Sequence, residues 1–387
     1  MAEFDFNSEN KVLNFSFETK KNIIKVLGVG GGGGNAVGHM YEYGIKDVDF
    51  IVANTDNQVL EVSKIPSKIQ LGETVTQGLG AGNNPENGKE AATESIELIR
   101  SALVDNRVTK MLFITAGMGG GTGTGAAPIV AKIAQDLGVL AIGVVTVPFS
   151  FEGKRKLRLA TEGIHKMQSS MDALIAVQND NLMKLPENRR MSMVKAFICA
   201  DNVLKQAINC VAELILTTGV INVDFADVTT IFRQSTNSDA LLGIGHGHTA
   251  LDAVKGAVAS PLIDRGIKGA RGIILNLTGD NTLSLYDVDE ATRYVFENAD
   301  PEVNIIFGTV INDEMKGEVR ATLIATDFVD EDMIGRPPVA PTQQQTAKTA
   351  PQAPKQTGSF SLEPPKFMQK KNKGTPGFPS FPSFDNK

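Results

Sequence analysis

Two glycine-rich clusters constrain the fold and chemistry of this 387-residue chain more than any other feature of its sequence. The first cluster, residues 28–35, follows the apolar run 23–29 and precedes a helix-like stretch. The second, residues 117–125, follows the apolar run 111–115 and precedes a helix that we expect to begin near Ala126. Glycine lets the backbone approach an anion closely, and a helix N-terminus offers free N–H groups and a positive dipole end. Both clusters therefore predict phosphate binding.

The first cluster by itself leaves two classes of nucleotide open. Gly28, Gly30 and Gly33 satisfy the G-x-G-x-x-G pattern of dinucleotide-binding proteins, which would indicate an NAD-dependent oxidoreductase. A Walker A loop is excluded, because no Gly-Lys-Ser/Thr follows. A dehydrogenase needs one pyrophosphate loop, whereas a second cluster with threonine hydroxyls indicates a longer polyphosphate held from two sides. The two clusters together favour a nucleoside triphosphate, and the oxidoreductase remains an alternative.

Short apolar runs alternate with longer helical stretches in the first half of the chain, and these runs lie at 23–29, 50–53, 111–115, 140–147 and 174–177. Residues 88–103 and 126–137 show the helical period between them. This alternation predicts an α/β fold with a parallel, doubly wound nucleotide-binding domain, whose ligands lie at the carboxyl ends of the strands. Residues 192–217 contain neither Pro nor Gly and predict one long central helix.

A second α/β domain is expected after the central helix, with strands at 272–277, 302–309 and 319–324. Residues 336–359 are rich in Pro, Gln, Ala and Thr, which predicts a disordered linker. The expected segments are an N-terminal tail 1–22, the nucleotide-binding domain 23–191, the central helix 192–217, the C-terminal α/β domain 218–330, the linker 331–360 and a terminal segment 361–387.

Charge, cysteine content and hydropathy exclude several functional classes. The net charge of −6 argues against a general affinity for nucleic acid or anionic membranes. No apolar run reaches the roughly 18–20 residues of a membrane span, and the N-terminus resembles neither a signal nor a transit peptide. The two cysteines, Cys199 and Cys210, lie about 16 Å apart on the predicted central helix, too far for a disulfide. We therefore expect buried thiols and a cytoplasmic protein.

Several motifs in the same order as in a known family make the prediction specific. Residues 119–125 resemble the signature loop of the tubulin/FtsZ family, and the flanking residues 113–118 and 126–128 are closer to FtsZ than to tubulin. Further matching segments lie at 54–56, 78–82, 151–153, 179–180 and 222–227, so that the resemblance covers about residues 23–328. It implies a GTP-binding and GTP-hydrolysing protein that polymerises into filaments, with Mg²⁺ bound alongside the nucleotide.

The resemblance also implies roles for the glycine clusters and for a third loop. The residues expected at the α- and β-phosphates are Gly31, Gly32, Gly33, Gly34 and Asn35. Those expected at the β- and γ-phosphates are Gly121, Thr122 and Gly123, and Gly119, Gly120 and Thr124 of the same cluster are also expected to bind GTP. Gly80, Ala81 and Gly82 would face the γ-phosphate, whose loss can switch such a loop between ordered and mobile states.

Sugar and base recognition are implied at five further positions. Glu152 would bind the ribose with Lys156 as its basic partner. Asn179 would read guanine together with Asn202 and the preceding Asp201, which are expected at the start of the central helix. Three features depart from the family pattern. Lys156 replaces an arginine, Asp201 and Asn202 stand in swapped order, and Asn83 replaces a small apolar residue.

The hydrolytic residues implied by the resemblance are Asp224 and Asp227, with Asn222 fixing their loop. From the residues alone, a helix cap and a solvated acid would be the simpler interpretation. In the family this loop reaches the nucleotide of the next subunit, so the complete site exists only in a head-to-tail filament. Two carboxylates beside a magnesium nucleotide can orient and polarise water. No dedicated protein metal site is expected, because His246 and His248 stand in what we expect to be a glycine-rich loop, without a third ligand nearby.

The terminal segment suggests partners. Residues 362–371 resemble, loosely, the family's terminal peptide, which docks membrane-tethering and regulatory division proteins by folding on binding. The resemblance thus implies a homopolymer that forms the bacterial cytokinetic (Z) ring at midcell, without nucleic-acid binding or direct membrane insertion. A tubulin-like filament for plasmid segregation or cell shape is the alternative within the same fold.

Overall fold

The computed structural model describes residues 23–45, 47–104, 109–184, 191–216, 223–235, 238–263 and 266–328. All of these residues belong to one compact unit of the chain, Met1–Gly335. The predicted N-terminal tail, linker and terminal segment lie outside the described residues. None of the helices in the described ranges combines the length and the apolar character that crossing a bilayer requires.

Ten strands in the described residues form one sheet: β1 (Ile24–Val29), β2 (Val48–Asn54), β3 (Ser67–Gln70), β4 (Met111–Gly117), β5 (Leu140–Val147), β6 (Ala173–Gln178), β7 (Asp239–Gly247), β8 (Ala270–Gly279), β9 (Asn304–Ile311) and β10 (Val319–Phe328). Their order across the sheet is β3-β2-β1-β4-β5-β6-β7-β10-β8-β9. The first six strands pair in parallel, as predicted. The strand β7 continues this arrangement through two residue pairs with β6, and β10 then pairs antiparallel with both β7 and β8.

The helices are α1 (Gly30–Glu42), α2 (Asn57–Val62), α3 (Glu73–Thr76), α4 (Pro85–Glu94), α5 (Ile96–Val104), α6 (Thr122–Asp136), α7 (Lys154–Gln168), α8 (Asn179–Leu182), α9 (Met193–Leu216), α10 (Phe225–Gln234), α11 (Ala250–Val258) and α12 (Leu285–Asn298). Short 3₁₀ helices lie at Ser150–Glu152 and Asp313–Met315. The predicted fold class, an α/β protein with a parallel nucleotide-binding domain, a long helix and a second α/β domain, is confirmed.

The sheet is buried on both faces, which explains why its central strands are almost continuously apolar. One hydrophobic cluster packs α1, α9 and α10 against one face and spans both halves of the sheet, from Ile24 in β1 to Ile324 in β10. The opposite face is covered by α4, α5, α6 and α7 in the first half and by α11 and α12 in the second. The 24 residues of α9, about 36 Å of helix, therefore connect the two domains through one shared core.

Two predicted helices have other boundaries in the structure. The helix expected near Ala126 begins at Thr122, so the end of the second glycine cluster forms its first turn. The single helical stretch predicted at 88–103 is divided into α4 and α5 at Ser95. The buried Ser95 hydroxyl accepts a hydrogen bond of 2.9 Å from the Gly72 amide, which ties this break to the loop before α3.

The glycine-rich stretch that contains His246 is part of the strand β7 rather than a loop, which corrects the sequence interpretation. Its glycines alternate along the strand and face α11. A Cβ atom at Gly243 would lie 2.3 Å from the Ala257 carbonyl oxygen, and one at Gly245 would lie 2.1 Å from that of Ala253. The glycines are therefore there to admit the helix, which a propensity argument cannot recognise because glycine normally disfavours strands.

The cysteines also differ in part from expectation. Cys210 is buried and Cys199 is partly exposed, and neither forms a disulfide. Burial raises the pKa of the Cys210 thiol, which keeps it protonated.

Candidate nucleotide-binding site

The two glycine clusters meet at one edge of the sheet because they follow neighbouring parallel strands. The strands β1 and β4 pair along their whole length, and each leads at its carboxyl end into a helix N-terminus. Residues 30–34 form the first turns of α1, and residues 122–125 form the first turn of α6. The predicted phosphate loops are thus mostly helix N-termini, whose first amide groups lack partners within the helix.

The clusters pack so closely that side chains could not be accommodated at the contact. A Cβ atom at Gly30 would lie 2.9 Å from the amide nitrogen of Gly123, and Gly30 has a left-handed backbone with φ +72. A Cβ atom at Gly32 would lie 3.1 Å from the Gly117 Cα. The two helix N-termini can therefore act on one ligand from two sides.

A cavity of about 280 Å³ opens at this junction. Seven predicted residues line it: Gly32, Asn35, Gly120, Glu152, Lys156, Asn179 and Asp201. Six further lining residues had no individual binding role in the sequence prediction: Gly117, Met118, Thr146, Pro148, Phe197 and Ala200.

One wall of the cavity carries groups suited to a nucleobase. Asn179 is only 5% exposed, and its Oδ1 atom has no hydrogen-bond partner among the described residues. A buried, unpartnered amide that lines a cavity is the expected state of a group that binds a ligand. Asp201 lines the same cavity, and its Oδ2 atom lies 2.9 Å from the His39 Nδ1 atom. Burial raises the pKa of the Asp201 carboxyl, and the neighbouring His39 opposes that rise.

The structure of α9 shows which residue of the swapped Asp201-Asn202 pair faces the cavity. The helix begins at Met193, so Asp201 and Asn202 lie about two turns inside it rather than at its start. Asp201 lines the cavity, whereas the partly exposed Asn202 is not among the lining residues. Phe197 lies four residues before Asp201 and therefore on the same helix face, a spacing that could have identified it from the sequence.

Glu152 and Lys156 form the next part of the wall. The Lys156 Nζ atom lies 3.0 Å from Glu152 Oε2, and the Phe149 amide donates to Glu152 Oε1 at 3.0 Å. Each carboxylate oxygen retains acceptor capacity, so Glu152 can still bind a sugar hydroxyl. Asp180 fixes the short 3₁₀ helix of Glu152 by accepting hydrogen bonds from the amide and hydroxyl of Ser150. Asn179 thus lines the cavity, whereas the adjacent Asp180 stabilises the 3₁₀ helix that carries Glu152.

The loop at 78–82 lies against the second glycine cluster. A Cβ atom at Gly121 would lie 2.8 Å from the Ala81 Cβ, and the Thr55 and Thr122 hydroxyl oxygens lie 2.6 Å apart. Gly80 and Gly82 have positive φ, as does Asn83 with φ 58. Asparagine tolerates this left-handed conformation better than apolar side chains do, which accounts for Asn83.

Twelve predicted binding residues are not among those lining the cavity: Gly31, Gly33, Gly34, Gly80, Ala81, Gly82, Gly119, Gly121, Thr122, Gly123, Thr124 and Asn202. Some have evident supporting roles. The Thr124 hydroxyl accepts a hydrogen bond of 2.8 Å from the Gly119 amide and so shapes the second cluster from within. A Cβ atom at Gly33 would lie 2.3 Å from the Thr115 carbonyl oxygen, so this glycine lets α1 approach β4.

The predicted catalytic acids lie elsewhere on the surface. Asp224 is the N-cap of α10 and accepts a hydrogen bond of 2.8 Å from the Asp227 amide. Both aspartates are exposed, and neither lines the cavity. Asn222 lies outside the described residues. Within the described ranges, no group of three or more His, Cys, Asp or Glu side chains could hold a metal ion. A magnesium ion bound mainly through phosphates and water needs no such cluster.

Comparison with known proteins agrees with this geometry. Residues 23–187 match the Tubulin/FtsZ family GTPase domain, and residues 238–329 match the FtsZ family C-terminal domain. A structure of an empty FtsZ dimer from M. jannaschii is 39% identical, with a TM-score of 0.74, and the match covers 80% of this chain and 89% of that one.

A GTPγS-bound protofilament of CetZ2 from Haloferax volcanii shares the fold at 21% identity, with a TM-score of 0.68 and coverage of 79% and 93% of the two chains. The family matches, the identity to FtsZ and the paired glycine clusters lead to one conclusion: this chain belongs to the tubulin/FtsZ family and carries both its GTPase domain and the FtsZ C-terminal domain.

Proposed function

We propose that this chain is a GTP-dependent, self-polymerising GTPase that forms the cytokinetic ring at the division site, in the cytoplasm. Consecutive subunits assemble head to tail, and GTP is hydrolysed at the interface between them. One observation carries the proposal. Groups suited to base, sugar and phosphate line one cavity, whereas Asp224 and Asp227 are exposed outside it. Because hydrolysis needs groups that position water, a second copy of the chain is the simplest source of them.

Within one subunit, binding is divided among the elements around the cavity. Asn179 and Asp201 face the guanine base, Glu152 holds the ribose, and Lys156 supplies positive charge. The N-termini of α1 and α6 provide amide groups and dipole ends for the phosphates. Mg²⁺, when bound, neutralises charge on the phosphates.

Hydrolysis then depends on the loop that leads into α10. Its carboxylates, Asp224 and Asp227, orient a water molecule towards the nucleotide of the neighbouring subunit, and Asn222 fixes the loop. A contact between two different surfaces of the same chain repeats without closing when its rotation does not form a ring, and so builds an open filament. The dimer of M. jannaschii FtsZ and the protofilament of CetZ2 support the proposal, because both similar proteins associate with copies of themselves.

The experiment that tests the proposal separates binding, capping and catalysis at Asp224. In Asp224→Asn the side chain can still cap α10, since Asn and Asp are about equal N-caps, but the charge is lost. We expect GTP binding to be retained and turnover to fall at least 100-fold, the lower range for a lost general base. Asp224→Ala should lose turnover equally and also some stability. Normal turnover in Asp224→Asn would make the residue a cap only.

A mixing experiment tests whether the site is shared. Wild-type protein is diluted until its turnover per subunit falls, and Asp224→Asn protein is then added in excess. If sites form between subunits, the inactive variant recruits wild-type subunits into filaments, where wild-type carboxylates act on GTP bound by the variant, and total turnover rises. No rise, or a wild-type rate per subunit that stays constant down to nanomolar protein, would refute the shared site.

A further inference from the structure

His39 contacts the candidate base-reading carboxylate, although it belongs to none of the predicted binding motifs. It lies in the last turn of α1, and its Nδ1 atom is 2.9 Å from Asp201 Oδ2 on α9. The His39 side chain is 41% exposed and that of Asp201 is 15% exposed, so the pair lies at the mouth of the cavity with its carboxylate inward. Asn35, which lines the cavity, precedes His39 by four residues and shares its helix face.

A second contact links the same two helices one turn further on. The Lys205 Nζ atom lies 3.5 Å from the centroid of the Tyr43 ring. Tyr43 follows His39 by four residues and Lys205 follows Asp201 by four, so the two pairs form successive rungs between α1 and α9. The Tyr43 rung holds the helices together without touching Asp201, and it therefore provides an internal control for the His39 rung.

Asp201 has the remaining capacity that base recognition requires. Among the described residues its one hydrogen bond is to His39, at Oδ2, which leaves Oδ1 and the second lone pair of Oδ2 to a ligand. An ionised carboxylate only accepts hydrogen bonds, and guanine offers adjacent donors at N1–H and at its 2-amino group. A carboxylate that rotates freely would lose this two-point match, because both oxygens must lie in the plane of the base.

His39 also favours the chemical form of Asp201 that can accept. Burial raises the pKa of the Asp201 carboxyl, and the electrostatic and hydrogen-bonding effects of His39 lower it. A protonated carboxyl would present a donor where guanine also presents donors. The contact thus restrains the orientation of the group that faces the base and favours its ionised form.

We propose that His39 is a positioning residue for guanine selectivity, which holds the Asp201 carboxylate so that it accepts from N1–H and the 2-amino group of the base. The inference rests on the proposed GTP function and deepens it. The His39 side chain is 41% exposed, and contacts of such side chains contribute little to stability, so the effect of His39 is expected in nucleotide selectivity rather than in folding.

The test measures equilibrium binding of GDP and IDP to the full chain below its assembly concentration. These diphosphates are not hydrolysed, and IDP lacks only the 2-amino group. In the wild type we expect GDP to bind about 10-fold more tightly than IDP, the size of one hydrogen bond to a charged group. His39→Ala should lower this ratio to about that of Asp201→Asn, and His39→Asn should restore most of it, because Asn Nδ2 can donate from the position of His Nδ1.

Two controls decide whether the effect is specific. Tyr43→Ala should leave the GDP to IDP ratio unchanged, and His39→Ala should have no further effect in an Asp201→Asn background. A wild-type ratio in His39→Ala, failure of His39→Asn to restore it, or an equal loss in Tyr43→Ala would overturn the proposal. Failure of wild-type protein to bind GDP at all would instead contradict the proposed function.

Discussion

The contact between α4 and α6 yields the sharpest stability prediction, because glycines let these helices touch through their backbones. A Cβ atom at Gly125 would lie 1.9 Å from the Pro85 carbonyl oxygen and 2.6 Å from the Lys89 amide nitrogen. Such contacts do not fall below 3.0 Å, so the helices must separate by roughly 1 Å to admit one methyl group. Neither obstacle is a flexible side chain that could turn away.

The magnitude follows from two opposing effects. Replacing Gly by Ala within a helix stabilises it by up to about 1 kcal/mol, whereas overpacking costs about 1–3 kcal/mol and more when backbone must move. For Gly125→Ala the overlap is with backbone, so we expect a net loss of at least about 2 kcal/mol. Gly38 in α1 is the matched control, because a Cβ atom there meets nothing within 4 Å. Gly38→Ala should gain about 0.5–1 kcal/mol.

Chemical denaturation without nucleotide measures both effects, since bound ligand would add its own stabilisation. The two variants should differ by about 3 kcal/mol, with Gly125→Ala the less stable. Gly125→Ala should also bind nucleotide more weakly, because α4 follows the 78–82 loop and α6 carries the second glycine cluster. Wild-type stability in Gly125→Ala, or a loss in Gly38→Ala, would refute the packing argument.

Three further predictions concern charge and the terminal segment. Burial raises the pKa of Glu213 above its ordinary value of 4.5, against the opposing effects of Arg320 and a 3.0 Å hydrogen bond from Asn276. The folded state therefore holds this proton more tightly than the unfolded state does. Wild-type protein should lose stability relative to Glu213→Gln as pH rises from about 4.5 through the raised pKa, measured by denaturation at several pH values. A difference in stability that does not change with pH would contradict this. Lys156→Ala should weaken GTP binding about 10-fold, and this loss should be smaller in high salt. Lys156→Arg and the exposed control Lys154→Ala should bind GTP normally. An equal loss of binding in Lys154→Ala would indicate a general charge effect. Deleting residues 336–387 should preserve GTP-dependent sedimentation but abolish recruitment of membrane-tethering partners, and loss of sedimentation would place this segment in the polymerising core.

Much of the fold could be predicted because its signals are local. The strands β1, β4, β5 and β6 lie within two residues of the predicted apolar runs, and α9 differs from its predicted bounds by one residue at each end. Buried parallel strands and a long periodic helix impose repeating patterns that a single sequence displays. The strand β7 was not predicted because its glycines make room for Ala253 and Ala257 of α11, which are near only in the folded chain.

The candidate site likewise contains features that could be proposed from the sequence and others that required the folded structure. The glycine clusters could be proposed because each follows a strand of a parallel sheet, where ligands bind. Glu152, Lys156 and Asn179 could be proposed from the resemblance to the family. The unpartnered Asn179 oxygen and the fixed Glu152 carboxylate required coordinates. So did the choice between Asp201 and Asn202, since adjacent residues of a helix point about 100° apart and only packing decides which faces the cavity.

The sequence by itself predicted phosphate binding at two helix N-termini, because glycine after a strand and before a helix has few other uses. It also determined the α/β class and the long central helix. Only the tertiary structure decided that α1 and α9 lie side by side, which joins His39 to Asp201 across 162 positions of the chain. Side-chain pairing over such separations follows from packing of whole elements, and no local pattern of residues encodes it.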